Sequence, residues 1–303
     1  MSDESRSLSP LVLRERLADY LRRAREDKGW SQSSTANKMG WSLSKLQRIE
    51  TAVVSVSWTD TKALVELYGL RDDTAAQHLL AMARQARRRD RFTPFKKHLT
   101  AEYQTLLSYE ESALRIRSAN SFVLPGLLQV PRYARALLSV KHSGAKLDAL
   151  VKARQVRQQI LDDPQGPRFE FLIDEAMLYR QIGGPDVLAA QLTRLLEISG
   201  RPNLTLRVIP FAAGAHLGLW EPFMIMTIPG GSLDAHDYET IVYRETGDSE
   251  YLIRTGDERI NLYRTSFTEI EAQTLSPSET RDLIERARSR LGTPEAAAPD
   301  SAR

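Results

Sequence analysis

The chain contains no cysteine. That absence removes disulfides, thiolate nucleophiles and cysteine-bound zinc together, and it suits a reducing, cytoplasmic setting. No run of about 18 apolar residues occurs, so no membrane-spanning helix is expected. The opening MSDESRSLSP is acidic and polar, without the apolar stretch of a signal peptide. Neither a G-x-G-x-x-G nor a Walker pattern is found, which argues against a nucleotide cofactor. A G-x-S-x-G nucleophile elbow is missing as well. Histidines 78, 98 and 142 have no ligand-like spacing. No catalytic residue, cofactor or metal is therefore expected.

Charge is the first positive signal. The 303 residues carry a net charge of only +3, but it is unevenly spread. Residues 1–98 hold 19 basic and 12 acidic side chains, a balance of +7, and the remainder holds 23 and 27, a balance of −4. A basic module joined to a slightly acidic one points to a polyanion as partner of the first. Length agrees with two domains, at a typical size of roughly 150 residues each.

From Leu11 to Asp90 the apolar residues recur at helical spacing. Leu13, Leu17 and Leu21 form one stripe on a helix that should end near Lys28–Gly29. Ser31, Ser42 and Ser57 are each placed to cap a following helix, the last in the pattern Ser57-Trp58-Thr59-Asp60. A fifth helix opens near Asp72–Asp73 and runs into ARQARRRDRFTPFKKH, a basic tract that Pro94 interrupts. Residues 10–90 are thus expected as an all-α domain, 91–98 as a basic linker, and 99–291 as a second domain. That domain begins helical over Ala101–Ser118 and then carries strand-like runs at 168–173, 203–210, 223–228, 239–245 and 250–254. Helices followed by a mostly antiparallel sheet indicate an α+β fold. The tail, 292–303, buries too little to order itself.

Within the first domain, NKMGWSLSKLQRIE (37–50) places a lone glycine between two short helical segments. Gly40 suits the left-handed residue of a tight joint. Ala36, four before it, is small enough for a close helix crossing, and Leu46 and Ile49 lock the second helix down. These are the steric marks of a helix-turn-helix. The polar crowding of the second helix follows, because a helix read against the DNA major groove must present donors and acceptors. Ser44, Lys45, Gln47 and Arg48 occupy that face, with Leu43 at its exposed first turn and Ser42 at its cap. Gln47 suits adenine, and Arg48 or Lys45 suits guanine or phosphate. Gln32 and Ser57 head neighbouring helices, where backbone N–H groups can hold phosphate. A single such unit reads only a few base pairs, so a homodimer on double-stranded DNA is expected.

WSQSSTANKMGWSLSKLQRIET resembles the Cro/repressor-type (XRE) helix-turn-helix in its actinobacterial form. Thr35 stands where that family usually has leucine, and Ala52 where it usually has glycine. The likeness continues through LPGLLQVPRYARAL (124–137), RQVRQQIL (154–161), DEAMLYRQIGGPDVLAAQLTRLLE (174–197), VIPFAAGAHLGLWEPF (208–223) and the YRET run at 243–246. These segments are similar to the effector domain of WhiJ-like, antitoxin-like regulators of filamentous actinobacteria. The resemblance implies a DNA-binding repressor tied to development or antibiotic production, working with a small BldB-type protein encoded nearby. It implies no catalytic residues.

Other constellations have plainer explanations. Asp234, His236 and Asp237 resemble metal ligands but fall in a Gly-Gly-Ser loop, where hairpin residues of this kind are expected. Gly183-Gly184-Pro185 reads as a helix start. Leu124, Leu127 and Leu128 read as core, with partner docking as the alternative. Arg154, Gln155, Arg157 and Gln158 suit a solvated face or the lining of an anionic pocket. Two further readings remain open for the second domain: a hydrolase-like enzyme brought to DNA, and a sensor of small molecules.

Overall fold

Three serines start three helices in the first third of the chain. In the computed structural model, which describes residues 8–70, 73–230, 238–246, 249–254 and 256–291, the hydroxyl oxygen of Ser31 accepts from the N–H of Ser34. Ser42 accepts likewise from Lys45 and Ser57 from Asp60. Each bond satisfies a donor that the first helical turn leaves unpaired. The five helices are α1 (Pro10–Asp27), α2 (Gln32–Met39), α3 (Leu43–Glu50), α4 (Trp58–Tyr68) and α5 (Asp73–Gln85). Their common core includes Leu13, Leu17, Leu21, Ile49, Leu64, Tyr68 and Leu79.

Compactness divides the chain into two units. The first gathers residues 1–94, 104–113 and 228–239, and the second 95–103, 114–227 and 240–303. The stretch 91–98 contains a 3-10 helix at Thr93–His98. Most of α6 (Ala101–Ser112) falls in the first unit, where the hydroxyl of Ser112 accepts a hydrogen bond from the N–H of Ser9 at 2.9 Å.

The second unit is built on a six-stranded sheet of β1 (Arg115–Asn120), β2 (Arg168–Asp174), β3 (Leu204–Ile209), β4 (Phe223–Pro229), β5 (Tyr238–Thr246) and β6 (Ser249–Ile253). Its spatial order is β3-β2-β1-β4-β5-β6. The expected succession of α and α+β regions is present, with a sheet that is mixed. β1 pairs in parallel with β2, and β2 with β3, whereas β1–β4 and β5–β6 are antiparallel. Parallel neighbours need crossover connections, and helices supply them. α7 (Pro131–Leu138) and α8 (Gly144–Gln158) lie between β1 and β2, and α9 (Pro185–Ile198) between β2 and β3. α10 (Arg259–Glu271) covers one sheet face, setting Ile260, Tyr263, Phe267 and Ile270 against Ala119, Leu172, Ile225 and Val242. α11 (Pro277–Leu291) packs on α9 and β3.

β1 corrects the helix expected over 101–118. The helix stops at Ser112, and Arg115–Asn120 becomes the strand between β2 and β4. The run RIRSAN has one β-branched residue and two arginines, so its strand character comes from pairing on both sides rather than from local preference.

The 124–129 turn belongs to the core. Leu124, Leu127 and Leu128 are each 1% exposed. Gln191 of α9 donates to the carbonyl of Leu128 at 2.8 Å and accepts from the N–H of Val130 at 2.7 Å. Of the arginine–glutamine group on α8, Gln155 is exposed and the other three are engaged within the fold. Arg154 donates to Gln129, Gln158 donates to the carbonyls of Gly126 and Gln129, and the buried Arg157 donates to the hydroxyl of Tyr103. Gly126 allows this approach, since a Cβ there would lie 3.0 Å from a terminal nitrogen of Arg157. Asp234, His236, Asp237 and residues 292–303 lie outside the described residues.

Candidate nucleic-acid interface

Gly40 adopts φ +63°, the left-handed conformation that lets α2 stop and α3 start within three residues. The N–H of Trp41 returns to the carbonyl of Ala36 at 2.8 Å and seals the turn. Ala36, Leu46 and Ile49 are 1%, 0% and 2% exposed, so all three sit inside the crossing. Met39 is partly buried against the same core.

The opposite face of α3 is open. Ser44, Gln47 and Arg48 are exposed, as is Leu43 at 42%. The side chains of Ser44, Gln47 and Arg48 make no hydrogen bond among the described residues. They remain available as donors and acceptors. Lys45 differs from them. Its ammonium lies 3.0 Å from Asp60 and 3.7 Å from the centre of the Trp41 ring, so it is held against α4 and the turn.

The remaining candidates have intramolecular duties. The hydroxyls of Ser42 and Ser57 serve as caps. Asp60 answers Lys45 and does not reach back to Ser57, so the capping box is half formed. The Gln32 amide donates to Glu50 at 2.8 Å.

Glu50 leads to residues that local pattern does not reveal. Arg25, near the end of α1, donates to both Glu50 oxygens, at 2.7 and 2.9 Å, and to the carbonyl of Trp30 at 2.6 Å. One carboxylate thus ties α1, the start of α2 and the end of α3 together. Hydrogen bonding to Glu50 raises the pKa of Arg25 against the opposing effect of burial. Burial, reinforced by the nearby Glu50, pushes the Tyr68 phenol up to about 12.

Beyond α3, the exposed cations Arg87, Arg88, Arg89 and Lys97 follow α5. Arg91 is paired with Glu111 at 2.5 Å. Arg84 stacks over Trp58 at 5.3 Å.

Residues 16–79 match a helix-turn-helix domain. Residues 103–286, more than half of the chain, match the family described as a domain of unknown function, DUF5753. The chain belongs to the DUF5753 family. No curated protein and no solved structure matches it. In this DUF5753 protein the helix-turn-helix supports a DNA-binding regulator. Among the described residues no helix is long and apolar enough to cross a membrane. The described part of the DUF5753 domain contains no group of three or more histidine, aspartate or glutamate side chains able to hold a metal ion.

Proposed function

We propose that the protein is a cytoplasmic, sequence-specific transcriptional regulator that acts as a repressor by occupying its operator. The observation that carries this reading is the outward face of α3, where Ser44, Gln47 and Arg48 stand exposed and unengaged on a helix locked from behind by Leu46 and Ile49. Such a helix fits the major groove, where Gln47 pairs with adenine and Arg48 with guanine or phosphate. Lys45, braced by Asp60 and Trp41, suits a fixed phosphate contact better than a base contact. The start of α2 at Gln32, the caps Ser42 and Ser57, and Leu43 flank this face. The cations at 87–89 and 97 add sequence-independent attraction.

The resemblance of the second domain to WhiJ-like effectors favours control by a small BldB-type protein or by a ligand, with the protein acting as a homodimer on a pseudo-palindrome. Residues 10–90 are read as the DNA-binding domain and 99–291 as the effector, with 91–98 between them. The test is fluorescence anisotropy on labelled DNA from upstream of the gene, against a scrambled duplex, across a salt series. Tight binding to the native duplex alone, weakening as salt rises, supports the reading. Equal, weak binding to both overturns sequence specificity.

A further inference from the structure

Three loops leave the carboxyl ends of the parallel strands: 121–130 after β1, 175–184 after β2 and 210–222 after β3. In open sheets of this kind, ligands bind outside those ends. Here Ser121 and His216, on two of these loops, and Asp174, the last residue of β2, come together from distant parts of the chain.

Ser121 is 7% exposed and His216 9%. The Ser121 hydroxyl oxygen and His216 Nδ1 are both shut off from water, and neither has a hydrogen-bond partner among the described residues. Both face Gly218, where a Cβ would lie 3.0 Å from His216 Nδ1 and 3.4 Å from Ser121 Oγ. Buried polar groups are normally paired, so two orphans converging on one glycine call for an explanation. Asp174 lies beside the other edge of the imidazole. Its Oδ2 lies 3.8 Å from His216 Nε2, and this favours the tautomer with hydrogen on Nε2. Nδ1 then presents a lone pair and accepts a hydrogen bond. Burial lowers the His216 pKa despite the opposing pull of Asp174, which favours the neutral ring.

The residues that follow Ser121 and Gly218 in the chain are apolar and exposed. Phe122 is 51% exposed, Leu219 40% and Trp220 83%. Exposed aromatic groups beside a few convergent polar atoms are the composition of a small-molecule site. The cover over the two orphan atoms is the short turn Leu217–Leu219. It follows Gly214, whose φ of +67° and ψ of −134° suit glycine.

We propose that these loops form a binding site for a small, uncharged aromatic compound bearing an N–H or O–H donor. The donated hydrogen is accepted by His216 Nδ1. Where the donor is an O–H, its oxygen also accepts from the Ser121 hydroxyl, whereas an N–H compound makes the first bond alone. The ring lies between Phe122 and Trp220 once the 217–219 turn lifts. The site rests on the reading of the second unit as the receiver of a signal, and names that signal's chemistry.

The test uses the full chain labelled with 15N at histidine and titrated with phenol, with indole, and with anisole, which lacks the donor. A saturable shift of the His216 nitrogens in the low millimolar range is expected for phenol and indole. Anisole on the parent, and phenol on the Ser121→Ala variant, should each bind roughly tenfold more weakly, the loss of one hydrogen bond. His216→Phe should abolish binding, and if that variant does not fold, Ser121→Ala decides alone. No saturable shift, equal binding of anisole and phenol, or an unchanged Ser121→Ala overturns the proposal. DNA anisotropy on the same samples separates the two readings. Specific DNA binding without phenol binding sinks the site and leaves the regulator standing. Phenol binding without DNA binding under any condition does the reverse.

Discussion

Arg25 and Glu50 meet through two hydrogen bonds of 2.7 and 2.9 Å, with their side chains 8% and 1% exposed. Removing one partner of such a pair leaves a buried charge uncompensated. Glu50→Gln is therefore expected to destabilise the helix-turn-helix by about 3 kcal/mol. Urea unfolding followed by circular dichroism checks this. The double variant Arg25→Met, Glu50→Leu should recover much of the loss, and a single variant as stable as the parent would show that the pair is not the tie inferred here.

Ala52 occupies φ +56° just beyond α3, the only positive φ at a non-glycine among the described residues. An L-residue pays roughly 1–2 kcal/mol in this conformation, partly offset by the greater freedom of glycine in the unfolded chain. Ala52→Gly should therefore stabilise the first unit by about 0.5–1 kcal/mol. The readout is the unfolding midpoint, and a lower midpoint would refute the argument.

Thr35 is fully buried in α2, and its hydroxyl has no hydrogen-bond partner among the described residues. Thr35→Val keeps the shape and removes the orphan, and a gain of about 1 kcal/mol is expected. A loss on thermal unfolding would mean that the hydroxyl is bonded in solution.

Arg48→Ala should weaken binding to the native operator by about 1–3 kcal/mol and relax the preference at one base position. Lys97→Ala should instead weaken all sequences alike and make the salt dependence shallower. Anisotropy against a set of singly mutated operators distinguishes the two. If Arg48→Ala leaves affinity and preference unchanged, α3 does not read bases through this side chain.

His216 gives a pH signature. Its folded pKa lies below the ordinary value of about 6.5, so the unfolded chain takes up more protons as pH falls through that value. The contribution to stability is fully present above about 6.5 and is lost progressively below it. Midpoints measured from pH 7.5 downward should fall more steeply for the parent than for His216→Gln. Parallel curves would remove His216 as the source.

How much was legible before the structure followed the range of each interaction. Ser31, Ser42 and Ser57 act on residues three positions on, and Gly40 acts on its own turn, so all four could be read locally. The runs over β2 to β6 were legible because they are apolar and β-branched. β1 was not, since RIRSAN becomes a strand only by pairing with β2 and β4. The α3 face was anticipated as a set, but the bracing of Lys45 by Asp60 and of Gln32 by Glu50 depends on distances that a linear chain does not carry. The meeting of Ser121, Asp174 and His216 was invisible for the same reason, because it exists only once three strands end side by side.

The parallel pairing of β1 with β2 has a consequence for the order of assembly. Arg115 must find Arg168 across two intervening helices, whereas α2 and α3 of the helix-turn-helix are joined by only three residues. Contacts of large sequence separation carry their loop-closure entropy into the folding barrier. The helix-turn-helix is thus expected to form early, as it leaves the ribosome, while the sheet waits for β2 and β3 to be synthesised. Until then β1 offers two unpaired edges, and the nascent chain is most prone to misassociation in that interval.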